Sequence, residues 1–118
     1  MIRMRWGIDD GIPKYNFSAP IVKTESYLDQ GTNANNVLDA VSASKTLMTY
    51  KMLGVNGQET QATALVFTPQ TVKPAGGWPL VVWAHGTTDV ADACAPSRQG
   101  LKGNEYFIAK LLAAGYAV

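Results

Sequence analysis

The sequence predicts an α/β fold, and three stretches carry that expectation. The first is a pair of strand-like runs, Thr46–Leu53 and Thr60–Thr68, separated by a loop that contains Asn56-Gly57. The second is Leu80-Val81-Val82-Trp83-Ala84, five consecutive apolar residues that fit a strand covered on both faces, as in parallel sheets. The third is a helix-like run from Asn104 to Gly115 that leads into Tyr116-Ala117-Val118, the start of another strand. The expected order is an antiparallel hairpin, then a parallel strand, a helix and the start of the next strand.

A chain of 118 residues is about one ordinary domain and is long enough for a modest core. With 47% hydrophobic and 16% charged residues, its composition is that of a globular protein. Ten basic and nine acidic residues give a formal charge of +1, spread without a basic stripe or acidic tail. Nothing therefore points to nucleic acid or an anionic membrane surface as partner. No apolar run approaches the roughly 18 residues that a membrane span needs. Met1–Arg5 is basic but is not followed by the apolar run of a signal peptide. Cys94 is the single cysteine. It reads as a small buried residue, or as half of a disulfide to a cysteine beyond Val118.

In chain order, residues 1–44 read as an N-terminal extension that wraps over the sheet or stays weakly structured. Ile21-Val22 is a candidate short strand. Val37–Val41 is a candidate helical turn with Asn36 as its cap. Asn56-Gly57 suits a tight turn with positive φ at both central residues. Two prolines and a Gly-Gly pair make Pro69–Gly77 a surface connection. Pro79 opens the central strand but cannot sit within it, because it donates no ladder hydrogen bond. Gly86 lets the chain turn sharply at the strand's carboxyl end and approach a ligand closely. Asp89–Gly103 is a long polar loop without period. Beyond it, Asn104 is a cap, Glu105 and Lys110 complement the helix ends, and Gly115 terminates. Phe107, Ile108, Leu111 and Leu112 form one apolar stripe. An apolar strand beginning at Tyr116 has little left to pair, so the chain reads as the N-terminal fragment of a longer protein.

The run Trp78–Arg98, with His85-Gly86-Thr87-Thr88 and Cys94-Ala95-Pro96-Ser97, resembles the oxyanion-loop region of α/β-hydrolase esterases and lipases. It is most similar to the secreted-lipase-like branch, whose loop reads His-Gly-Thr-Thr-Gly. The likeness runs from about Leu47 to Val118, and Asp89 stands where that family has Gly. The resemblance implies that residues 45–118 are the N-terminal part of an α/β-hydrolase domain. It implies a secreted or periplasmic location, a small-molecule ester as substrate, and no cofactor or metal.

Hydrolysis by a serine nucleophile creates a tetrahedral oxyanion, and a fixed backbone N–H donor to it is typically worth about 3–4 kcal/mol. In the resembling families one donor follows His-Gly, which puts that role on the backbone N–H of Thr87. Gly86, Thr88 and His85 are then loop supports, with His85 bracing through ring hydrogen bonds. His85 is the only histidine, yet the family's base lies far downstream, so it is not the base. One His and one Cys fall short of a zinc site. Asp89 and Asp92 read as loop-solvating or capping groups. No Gly-x-Ser-x-Gly elbow occurs, and Ser42, Ser44 and Ser97 lack flanking glycines. The nucleophile, acid and base are therefore expected outside this chain, which alone is expected to be inactive. Two alternatives stay open: a serine peptidase of the prolyl-oligopeptidase type, which shares this fold and oxyanion logic, and a non-catalytic binding protein on a hydrolase scaffold that has lost its nucleophile. Asp89 in place of Gly bears on the latter.

Overall fold

Thr-, Val- and aromatic-rich runs between Ser42 and Pro69 pair with each other and build the centre of the molecule. The computed structural model describes residues 19–27, 34–86, 94–101 and 103–118. Its elements are β1 (Ile21–Ser26), α1 (Ala34–Asp39), β2 (Ser42–Leu53), β3 (Glu59–Pro69), α2 (Pro96–Gln99) and α3 (Glu105–Ala113). β2 and β3 form a long hairpin whose register runs from Ser42↔Pro69 to Leu53↔Glu59. Pro69 ends its strand, where a missing N–H costs no interior ladder bond. β1 adds to the other side of β2, also antiparallel, with a bulge between Ile21 and Lys23.

The hairpin's turn differs from the expected one. The Gly57 N–H donates to the Gly54 carbonyl at 3.0 Å, and the Gly54 N–H donates to the Gln58 carbonyl at 2.8 Å. Only Gly57 takes a positive φ, +76°. Val55 and Asn56 are thus the central residues of the turn, and Gly57 is the left-handed residue that returns the chain to the ladder. This is the three-residue kind of hairpin loop, not the two-residue kind.

The core collects Tyr27, Leu38, Phe67, Leu101, Ile108, Ala109 and Leu112, with Leu47, Leu65, Trp83 and Val118 packed against it. α1 and α3 therefore lie on the sheet face that presents Leu47, Leu65 and Phe67. Tyr27 meets Phe67 edge-on with ring centres 6.2 Å apart. Asp39 at the end of α1 pairs with Lys45 of β2 at 2.6 Å. α1 begins at Ala34, so Asn36 lies within the helix and is not its cap.

α3 ends as its sequence specifies. Gly115 takes φ +92°, its N–H donates to Leu112, and the Tyr116 N–H reaches back to Leu111. Its start is different, because Asn104 has helical φ and ψ and makes no side-chain cap. Glu105 instead accepts the Gly103 N–H at 2.7 Å. The buried stripe is Ile108, Ala109 and Leu112, whereas Phe107 is 47% exposed, so the helix is rotated from the expected face. The expected structureless loop before it contains α2, a single turn with Pro96 at its first position, where its missing N–H leaves no helical bond unmade.

The expected α/β architecture, the N-terminal part of an α/β-hydrolase fold, is not what forms. Strand exceeds helix, and the sheet is a three-stranded antiparallel one in the order β1-β2-β3. The parallel strand expected at Leu80–Ala84 is reduced to a single parallel bridge, Leu80↔Ala117. The reason is visible in its burial. Leu80 and Val82 are 47% and 43% exposed, while Val81 and Trp83 are half-buried. Only one face of this segment is covered, although its apolar run suits a strand covered on two. Among the described residues no helix is long and apolar enough to cross a membrane.

Candidate functional site

The stretch from Trp78 to Gly86 is fixed at its start and in its middle. Trp78 donates its indole N–H to the Thr71 carbonyl at 3.2 Å, and Lys73 Nζ stands 5.9 Å from the centre of the Trp78 ring. Pro79 accepts the Ala117 N–H at 2.9 Å, and Ala117 accepts the Val81 N–H at 2.8 Å. Val118 in turn exchanges two backbone hydrogen bonds with Phe67, at 2.8 and 3.0 Å. The segment is therefore joined to the hairpin through the last residues of the chain. Trp83 anchors it to the core and meets Phe107 edge-on, with ring centres 6.0 Å apart and planes at 61°.

His85 and Gly86 follow this anchor directly and are both exposed. The His85 ring donates from Nδ1 to the Gly86 carbonyl at 2.7 Å. That bond leaves Nε2 as an acceptor in the neutral ring. A Cβ built on Gly86 meets nothing within 4 Å, and Gly86 does not take a positive φ. Among the described residues, nothing at Gly86 itself therefore requires a glycine, and the turn expected after it lies outside them. Thr87, Thr88, Asp89 and Asp92 lie outside the described residues. The geometry thus covers the two leading residues of His-Gly-Thr-Thr.

Because Leu80 and Ala117 pair in parallel, His85 and Val118 continue toward the same end of that pair. Cys94 and Ser97 come from the second half of the motif. Cys94 is a free, half-buried thiol, and Ser97 on α2 shares a 3.1 Å hydrogen bond with Thr63 of β3. The Cys-Ala-Pro-Ser run therefore docks the start of α2 on the sheet. An open concavity of about 510 Å³ sits at the hairpin's tip, between Met52 and Thr60. It includes no residue of the Trp78–Gly86 stretch and no charged side chain to orient a substrate.

No family model, no curated protein and no solved structure matches this chain.

Proposed function

We propose that this chain supplies the oxyanion loop of a serine carboxylic-ester hydrolase, with Thr87 donating its backbone N–H and the nucleophile, acid and base lying outside these 118 residues. The observation that carries the proposal is the bond from His85 Nδ1 to the Gly86 carbonyl. A peptide unit is planar, and across a trans bond its N–H points opposite its C=O. A ring that holds the Gly86 carbonyl would restrain the peptide plane in which the proposed donor lies. Trp83, packed two residues earlier, supplies the rigid support such a donor needs. A preorganised donor of this kind acts on the oxyanion as it forms and requires no rearrangement during reaction.

The test uses the longest reading frame that contains this sequence. Thr87→Pro removes the N–H, whereas Thr87→Ala keeps it and removes only the hydroxyl. With a p-nitrophenyl ester, the proline variant is expected to lower kcat by about 10²–10³, with KM nearly unchanged. The alanine variant is expected to lose far less. A proline variant that is folded by circular dichroism and acylated at the parental rate removes Thr87 from the oxyanion site. A reading frame that no serine-directed phosphonate labels removes the hydrolase reading altogether.

A further inference from the structure

β1 is an end strand. Among the described residues its only strand neighbour is β2, and all six of its residues are exposed. An edge of this kind presents unpaired N–H and C=O groups that another strand can take up. Which groups face outward follows from the ladder with β2. The Tyr27 N–H donates to the Lys45 carbonyl at 2.9 Å, and Glu25↔Leu47 and Lys23↔Thr49 continue at two-residue steps. Hydrogen-bonded and non-hydrogen-bonded pairs alternate in an antiparallel ladder. Lys23 and Glu25 therefore turn their backbone groups toward β2, while Thr24 and Ser26 turn theirs away from it.

We propose that a second copy of this chain docks on this edge, β1 against β1 in antiparallel order, about a two-fold axis through Thr24. Thr24 then exchanges both backbone hydrogen bonds with Thr24 of the second copy. Lys23 falls opposite Glu25 of the second copy, and Glu25 opposite its Lys23. These are non-hydrogen-bonded positions, where side chains approach closest. The side chains of Lys23 and Glu25 already share one face, since they form an ion pair at 3.2 Å within the strand.

Charge and backbone phase exclude the neighbouring registers. An axis through Lys23 sets lysine against lysine, and an axis through Glu25 sets glutamate against glutamate. Registers shifted by a half-step place an outward-facing residue against an inward-facing one and form no ladder. A lysine on an edge strand ordinarily discourages pairing. With a glutamate two residues on, it discourages the wrong registers and admits one. The bulge at Val22 keeps the shared ladder short, so the dimer is weak and concentration-dependent. The contact is independent of any ester-hydrolase activity.

Sedimentation velocity of the 118-residue chain over a concentration series tests this, with circular dichroism confirming the fold of each variant. The expected result is a reversible dimer that Thr24→Pro abolishes, since proline removes an outward N–H and leaves the β2 ladder and the ion pair intact. Lys23→Glu and Glu25→Lys should each weaken association by about tenfold or more, because both symmetric pairs become repulsive. The double exchange should restore it. The pair within the strand is restored by the same exchange, so unfolding midpoints measured at monomeric dilution show that contribution separately. Association that follows the charge pattern while those midpoints stay together supports the proposal, even where the proline variant fails to fold. A chain that sediments as a monomer throughout overturns it. So does a dimer indifferent to both charge reversals, which belongs to another surface.

Discussion

The imidazole of His85 holds the Gly86 carbonyl of the candidate loop, and the atom it uses makes its role testable. Nδ1, not Nε2, holds the Gly86 carbonyl. An asparagine places its amide nitrogen near the Nδ1 position, whereas a glutamine reaches nearer Nε2. In the active parent proposed above, His85→Asn should retain most of kcat, and His85→Gln should lose as much as His85→Ala. Equal rates in all three would remove His85 from the positioning of the loop. Gly86 gives a complementary test. With open space around it and no positive φ, Gly86→Ala should leave the urea midpoint of the 118-residue chain within experimental error. A loss of esterase rate in the parent without a loss of stability would then mark a ligand that approaches the Gly86 backbone closely.

At the scale of elements, the turn and the helix make separable contributions. Gly57 also has open space around it, but its φ of +76° penalises any side chain. Gly57→Ala should therefore cost roughly 1–2 kcal/mol, where Gly86→Ala costs almost nothing. Leu112 of α3 is fully buried in the core cluster, and Leu112→Ala should cost about 2–5 kcal/mol. Urea denaturation followed at the tryptophans measures all three. The hairpin was legible in the sequence because Thr- and Val-rich runs flanked a turn signal. Its loop type was not, since Asn-Gly suits two turn geometries and the Gly54–Gln58 pairing decides between them. Gly115 announced the end of α3 because only glycine takes that φ cheaply. The rotation of the helix was hidden, since Phe107 carries the same apolar signal whether it is buried in the core or meets the half-buried Trp83 at its margin. β1 was missed beyond its first two residues because Lys23, Thr24, Glu25 and Ser26 look like loop residues, and it is β2 that supplies the ladder. Leu80–Ala84 misled most. A run of apolar residues states that burial is favourable but not how many faces are covered.

For the whole molecule, the candidate site was legible only as a motif, and the structure describes its His-Gly half. This chain contains no glycine-flanked serine, so the 118 residues alone are expected to hydrolyse no p-nitrophenyl ester above background. Turnover that survives purification and titrates with a serine-directed phosphonate would show a nucleophile among Ser42, Ser44, Ser97 and the other serines present. The covered and uncovered faces also differ in consequence. Leu80 and Val82 present apolar surface on the segment that leads to His85. Replacing both with threonine should leave the core intact and the unfolding midpoint little changed, because neither side chain belongs to the buried cluster. A large destabilisation would mean that this face is covered after all.

The joining of Val118 to Phe67 and of Ala117 to Pro79 and Val81 also bears on how the molecule opens. The hairpin pairs residues close in sequence, whereas these contacts close long loops and are expected to form late in folding. Amide hydrogen exchange should therefore resolve two tiers. The Val81, Ala117 and Val118 amides should exchange through a local opening of low free energy, while the bonded amides of β2 and β3 wait for global unfolding. A single common exchange free energy would instead mean that the closing residues belong to the same cooperative unit as the hairpin. Two tiers would mean that the segment carrying His85 can detach and reseat while the hairpin beneath it stays folded.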